Sequence, residues 1–424
     1  MEKLVSVVSI LGGVLAIVFT VVYFYQYIYI IIALFVKDKK IDAINIKRQK
    51  ITAIIPARNE ELVVGDLIDS LLSQNYPREL VDIVVVADNC TDKTADVARR
   101  HGVTVYERFD QKKIGMGYAF EWLFRQLLAD KSRSDEVFLL TNADNLFDPN
   151  YFEEINKVYQ SGYRVVASYR NSKNYGTNWI SAGYGLWFIR ESRILNGARM
   201  KIGSGCIVSG TGYVVDKKIV EDAGGWNWTM LTEDVQFSSY CALNNIKIGY
   251  ASRAMFYDEQ PETFSMSWRQ RMRWVKGYLQ VFRKDGGKIV KNLFRNWTCY
   301  DLLCIIAPAA IIAILGLLTS LVFVIIGLGL RNFALVSTSL VSIRTLFLVI
   351  YATLFFHGVV TVAAEWDHIR ATPFKKILHT FTLPLFIATY MPILAVCLFK
   401  RDVGWKPINH KHSMTIDNMT RQTS

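Results

Sequence analysis

The sequence predicts a doubly wound α/β domain with a mostly parallel sheet, framed by apolar helices that cross a membrane. Three observations carry this. Short apolar runs alternate with helix-period segments between residues 51 and 260. Two apolar regions, the almost charge-free residues 4–36 and a second at about 300–399, exceed the roughly 20 apolar residues that a spanning helix needs. The basic residues gather beside those stretches.

The elements follow in order. Residues 1–36 read as an N-terminal transmembrane helix. Their apolar run is too long for a buried core helix or a signal-peptide core, and no small-residue cleavage site follows. Tyr23, Tyr25, Tyr27 and Tyr29 suit an interfacial aromatic belt. Residues 37–262 form the α/β domain. Strands are expected at 51–55, 81–87, 103–106 and 137–140, and helices at 60–74, 91–100 and 118–128. The run 81–87 is apolar at every position except Asp82, as a strand buried on both faces over most of its length requires. In such sheets ligands sit beyond the carboxyl ends of the strands.

Residues 263–298 change texture. Trp268, Met272, Val275, Leu279 and Phe282 recur at steps of four and three among Arg, Lys and Gln. This is an amphipathic helix, read as lying in the membrane surface; a half-buried surface helix has the same pattern. Residues 299–399 hold spans at about 300–328 and 340–363, a basic interfacial segment at 365–376, and an apolar run at 379–399 broken by Pro384 and Pro392. Either that last run is re-entrant or 299–330 crosses twice, because four single crossings would put the basic tail outside. Residues 400–424 form a polar tail.

Composition narrows the function. The formal net charge is +12, hydrophobic residues make up 51%, and mean hydropathy is +0.20. Lys37, Lys39, Lys40, Lys47, Arg48 and Lys50 form one basic cluster, and the positions from Arg269 to Arg295 form another. Both flank apolar segments, which argues for membrane contact rather than nucleic-acid binding. The positive-inside rule then puts residues 37–298 in the cytosol of a multi-pass plasma-membrane protein. Six cysteines without a CxxC pair give neither a zinc site nor a disulfide framework.

Five polar segments stand where chemistry is expected: Pro56-Ala57-Arg58-Asn59-Glu60, Asp88 to Thr94, Thr141-Asn142-Ala143-Asp144-Asn145, Leu231-Thr232-Glu233-Asp234, and Gln270-Arg271-Met272-Arg273-Trp274. Each alone has a plainer reading; Asp88, Asp92 or Asp148, for example, can simply cap a helix.

Taken together in this order, the five segments make the chain resemble the family 2 inverting glycosyltransferases of GT-A fold. Within that family it is similar to the membrane-bound branch, which includes the cellulose, chitin, hyaluronan and poly-N-acetylglucosamine synthases. By motif the resemblance covers roughly residues 50–280. It implies a UDP-sugar donor, with Asp88 at the uridine, Pro56, Arg58 and Glu60 lining base and ribose, and Lys113 and Arg273 near the diphosphate. It implies Asp234 as the base that takes the acceptor hydroxyl proton, with Glu233 beside it. Attack opposite the leaving group converts an α-linked donor into a β-linked product. It implies acceptor contacts at Gly210, Thr211, Trp226, Gln270, Arg271 and Trp274. Asp144 is the remaining carboxylate of a DxD element that here reads Asn142-Ala143-Asp144, and it implies Mg²⁺ or Mn²⁺ held by hard oxygen donors. The activity implied is extension and export of a growing glycan, such as a β-glucan. Addition of one sugar to a lipid or short glycan is the alternative. A binding protein with an inactive site, suggested by Asn142, is the third reading. No cellulose-synthase gating sequence follows Trp274. The donor motifs do not separate glucose from N-acetylglucosamine, and oligomeric state is not readable.

Overall fold

A computed structural model describes residues 2–38, 47–307, 310–400, 416 and 418. Lys39 and Lys40 of the first basic cluster, and nearly all of the tail beyond residue 400, lie outside these.

The α/β domain is built on one eight-stranded sheet: β1 (Ile51–Ala57), β2 (Val81–Asp88), β3 (Thr104–Arg108), β4 (Val137–Leu140), β5 (Leu146–Phe147), β6 (Val165–Ser172), β7 (Tyr213–Asp216) and β8 (Ile248–Asp258). Its order is β3-β2-β1-β4-β7-β6-β8-β5. The expected parallel pairing holds for β1 with β2 and β4, β2 with β3, and β6 with β8. The sheet is nevertheless mixed. β7 runs antiparallel between β4 and β6, and β5 runs antiparallel to β8. After β6 the helices of residues 179–202 return the chain to the end of the sheet where β6 finished, and a strand entering there pairs antiparallel.

Continuous burial of the central strands follows from cover on both faces. Ile54, Val84, Val86, Phe138 and Leu140 join one core with the helix Met116–Ala129. Their neighbours Ala53, Ile55, Ile83, Val85 and Leu139 join another with the helices Val64–Leu72 and Tyr151–Gln160. This two-residue alternation is the pleat itself. The helix expected at 60–74 is confined to Val64–Leu72, because Glu60–Val63 form the turn that leaves β1.

The order reverses between β1 and β4: the chain first builds outward through β2 and β3, then returns to the other side of β1. The carboxyl ends of β1, β2 and β4 therefore surround a switch point, where a crevice opens.

Among the described residues, four helical stretches are long and apolar enough to cross a membrane: Lys3–Phe35, Ile311–Gly329, Phe333–Ala364 and Pro373–Phe399. The span expected at 300–328 divides. Trp297–Ile306 is a separate ten-residue helix, about half the length a crossing requires. It is docked on the α/β domain by Asp301, which is wholly buried and paired with Arg199 at 3.0 and 3.1 Å, and which accepts from the Tyr29 hydroxyl at 2.8 Å. The last run breaks at Thr389, between Pro373–Ala388 and Tyr390–Phe399. All six cysteines are free.

The amphipathic helix spans Phe264–Lys291. Much of its apolar stripe meets protein rather than an open surface. Met272 and Val275 pack on Ile393, Leu394 and Cys397, with Trp268 and Leu279 beside them. Val281 and Ile289 pack on Ile207, Val235, Leu302 and Ile306. The helix is thus wedged between the α/β domain and the last apolar helix. Periodicity records that a face is covered, not by what.

Candidate active site

A cleft of about 780 Å³ opens at the switch point and runs toward the apolar helices. At one end it is lined by Pro56, Arg58 and Glu60 after β1, Asp88 ending β2, and Asn142 and Asp144 after β4. At the other end it is lined by Gly210, Glu233, Asp234, Gln270, Arg273, Trp274, Tyr278 and Ile305.

Asp88 is 5% exposed and accepts from Arg108 at 2.5 Å and from the Asn89 amide at 3.0 Å. Burial pushes its carboxyl up, and Arg108 opposes this. Arg108 also donates to the Lys113 carbonyl at 2.7 Å, which fixes the loop leading to the glycine turn. Within that turn Gly117 is required by space: a Cβ there would meet the Trp228 carbonyl at 2.5 Å. The close approach brings the loop preceding Glu233 against the start of the helix Met116–Ala129.

Glu233 and Asp234 open the helix Glu233–Leu243. Burial pushes Glu233 up to about 8, the Asp234 charge adds to this, and Arg273 opposes it. Burial also raises Asp234, but the backbone N–H groups of Val235 and Gly210 and the Arg170 guanidinium stabilise its anion. Two adjacent carboxyls in one low-dielectric site do not ionise together. The donors facing Asp234 make it the carboxylate and leave Glu233 the protonated partner at neutral pH. Gly210 can aim its N–H this way because its φ is +77°, a conformation that glycine adopts without strain.

Arg273 and Trp274 come from the helix Phe264–Lys291. Gly277 lets this helix approach: a Cβ would meet the Thr232 Oγ1 at 2.5 Å and its backbone N at 2.8 Å. The helix therefore lies directly on the Thr232-Glu233-Asp234 segment. Burial lowers Arg273, and the two acids oppose this. Its Nε has no hydrogen-bond partner among the described residues, and neither has the Gln270 Oε1. A buried donor without a partner is unfavourable unless a ligand completes it. The Trp274 ring is held edge-on by Tyr184 and Phe188, with centroids 5.6 and 5.9 Å away.

Four of the expected site residues do not line the cleft. Lys113 lies on the surface, 3.3 Å from Glu121. Thr211 is buried behind the wall, where its Oγ1 accepts from the Asn142 N–H at 2.8 Å and the Asn145 amide at 2.6 Å; it holds the Asn142–Asn145 turn. Trp226 is stacked between Phe124 and Phe237 and donates to the Trp228 carbonyl, deep in the core. Arg271 points away from the cleft. It lies 4.4 Å above the Phe386 ring and donates to the Phe386 carbonyl at 3.0 Å and the Thr389 hydroxyl at 2.6 Å. It thereby satisfies the carbonyl end of Pro373–Ala388 where that helix breaks.

The structure also adds residues that the sequence motifs do not contain. Arg170, near the end of β6, grips Asp258 at the end of β8 through Nε at 2.9 Å and through Nη2. Burial pushes Asp258 up to about 6; Arg170 opposes the shift and Asp144 adds to it. The sequence signal for Asp258 is an acid closing an apolar run, but Ser252 and Arg253 interrupt that run and hide it. Beside this interruption the register of β6 against β8 shifts, between Ser168 and Tyr169.

For a divalent cation, Asp144 is the principal candidate. It is 7% exposed, and one oxygen accepts from the Glu259 N–H at 3.2 Å. Asp258 shares the cleft but is committed to Arg170 and Gln260. No group of three metal-ligating side chains occurs among the described residues. The donor set fits a hard cation only if a ligand supplies most of the oxygens.

The model of the glycosyltransferase-like family 2 matches residues 48–277, more than half of the chain. The chain belongs to this family. The chain is 26% identical over 273 residues to the poly-beta-1,6-N-acetyl-D-glucosamine synthase of Staphylococcus epidermidis, covering 61% of the chain and 63% of that protein. It is 25% identical over 262 residues to the beta-monoglucosyldiacylglycerol synthase of Synechocystis sp. (strain ATCC 27184 / PCC 6803 / Kazusa), covering 57% of the chain and 50% of that protein. The chain thus spans less than two thirds of the length of either relative. Among solved structures, the mannosyltransferase PcManGT from Pyrobaculum calidifontis, in complex with GDP-Man and Mn²⁺, superposes with a TM-score of 0.55 at 15% identity. That alignment covers 92% of this chain and all of the other. The likeness shows a shared GT-A fold.

Proposed function

We propose that this membrane glycosyltransferase transfers a sugar from a UDP-sugar to a hydroxyl of a growing β-linked glycan, with inversion, and exports the product through its apolar helices. One observation carries this reading. Asp88, Asp144, Asp234, Arg273 and Trp274 converge on a single cleft whose far end reaches Ile305. That residue lies on the short helix leading to the span Ile311–Gly329.

In this reading Asp88, Arg58 and the turn after β1 hold the nucleoside. Asp144 and the donor diphosphate oxygens would hold Mg²⁺ or Mn²⁺, which neutralises charge on the leaving group when bound. Arg273 donates to the departing diphosphate, where its unpartnered Nε gains an acceptor. The acceptor hydroxyl rests over Trp274 and gives its proton to the Asp234 carboxylate as its oxygen attacks the anomeric carbon. The new glycosidic bond forms on the face opposite the breaking bond to the diphosphate. Glu233, protonated at neutral pH, leaves Asp234 as the single anion of the pair. The basic flanks and the apolar helices support a plasma-membrane protein with this domain on the cytosolic side.

The second reading, one sugar added to a lipid, draws on the same reach to Ile305. It is also compatible with the name of the Synechocystis relative. Purified protein given UDP-glucose or UDP-N-acetylglucosamine, with product size resolved, decides between them. Long β-linked product supports export of a glycan, and single-sugar adducts overturn it in favour of the lipid acceptor. Absence of UDP release with every UDP-sugar overturns both.

A further inference from the structure

The catalytic end of the cleft holds a third carboxylate that none of the sequence motifs contains. The helix Trp179–Arg190 runs directly into a π-helical turn, Glu191–Asn196. A π turn shifts the register of the side chains that follow, and such turns recur at functional sites. Here Glu191 opens onto the cleft, whereas Arg193 binds Glu365 at 2.7 Å outside it. Glu365 is 3% exposed and also accepts from the Tyr169 hydroxyl at 2.6 Å. On the inner side the Ser192 hydroxyl accepts from the Arg170 N–H at 3.1 Å, and the Asn196 amide bonds the Ile207 carbonyl at 3.0 Å. The turn is therefore anchored by residues other than Glu191.

Glu191 has little to do within the protein. It makes no ion pair among the described residues, and the Ser209 hydroxyl, at 3.3 Å, is a weak donor to it. Burial pushes its carboxyl up, Arg199 and Arg170 oppose this, and Asp234 is close enough to add to it. A carboxylate offers about four acceptor sites, and the Ser209 hydroxyl takes only one of those of Glu191, which lines the cleft. The aromatic rings of Trp187, Phe188 and Trp274 share that stretch of wall.

We propose that Glu191 is an acceptor-binding residue. Its carboxylate accepts hydrogen bonds from hydroxyls neighbouring the attacking one, and so turns the attacking hydroxyl toward Asp234. The ligand chemistry is a vicinal diol stacked on aromatic rings, which a glycan end and a glycolipid headgroup share. This inference rests on the transferase reading above.

The test uses the full chain in membranes, as wild type, Glu191→Ala and Glu191→Gln, with UDP-glucose and UDP-N-acetylglucosamine as donors. The acceptor probes are cellobiose, di-N-acetylchitobiose, and diacylglycerol monoglucoside in phosphatidylglycerol vesicles. Glu191→Ala is expected to raise the acceptor KM at least tenfold, with UDP binding and melting midpoint unchanged. Glu191→Gln, which keeps one acceptor oxygen and nearly the same shape, is expected to lie between and carries the test if the alanine variant does not fold. Which probe responds tells a glycan end from a glycolipid headgroup. An unchanged acceptor KM overturns the proposal, as does loss of UDP binding in step with activity. A wild-type chain that binds UDP but transfers to no probe overturns the transferase reading itself, and is recognised because the wild type, not the variant, fails.

Discussion

The two ends of the cleft are built by different means. At the donor end, Asp88 ends one strand while Arg58 and Asp144 stand on loops that leave its neighbours, and strand pairing alone brings them together. At the end nearest the apolar helices, Asp234, Glu191, Trp274 and the diphosphate-facing Arg273 stand on three helices, and their meeting depends on how those helices pack. A sheet fixes its strand ends through backbone hydrogen bonds that any suitable side chains permit. Helix packing is set by particular side chains, and by particular glycines.

The contrast can be broken most severely at Asp234. Asp234→Asn is expected to lower transfer by about 10²–10⁴-fold, the usual worth of a positioned base. Equilibrium binding of UDP should stay at the wild-type level, since the donor end is built independently. Retained transfer would remove Asp234 as the base. Arg273→Ala is expected to cost about 10²–10³-fold in turnover, comparable to losing one donor to developing negative charge. Activity measured against donor concentration checks this, with the loss falling on kcat.

A smaller effect sharpens the packing side. Gly277→Ala places a methyl group where the Thr232 backbone already stands, so the helix must move. We expect about 1–3 kcal/mol of destabilisation, read as a lower melting midpoint in detergent, together with reduced transfer. The same substitution at Gly287, exposed on the same helix and with nothing within 4 Å of an added Cβ, should lower neither the midpoint nor transfer.

The last expected effect is on pH dependence. Glu233 has an ordinary value of 4.5 and is raised to about 8 in the folded chain. Between those values the unfolded chain has released a proton that the folded chain retains, so folding stability falls as pH rises through this window. Glu233→Gln removes the effect. The melting midpoint of the wild type should therefore decline relative to that variant between about pH 5 and pH 8, and parallel pH profiles would overturn the assignment of Glu233 as the protonated partner.

Legibility in the sequence follows the same division. The strands at 81–88 and 137–140 are readable because burial on both faces demands apolar runs, here Ile83–Ala87 and Val137–Leu140. Asp88 and Asp144 are readable because they close those strands or follow them. Asp234, Arg273 and Trp274 are readable as motifs. Arg271, two residues before Arg273, belongs to the same motif, yet it faces the opposite side of its helix and caps a helix break more than a hundred residues away. Trp226 reads equally as a ligand platform or as core, and the structure places it in the core.

By itself, the sequence determined the alternation of strand and helix, the apolar helices that can cross a membrane, and the residue types needed for glycosyl transfer. These depend on local periodicity and composition, which are written along the chain. Tertiary structure alone decided which of two neighbouring arginines faces the cleft, which of two adjacent acids stays protonated, and that a π turn delivers Glu191 beside Asp234. Those outcomes depend on burial, charge and close approach between segments distant in sequence, and no local pattern encodes them.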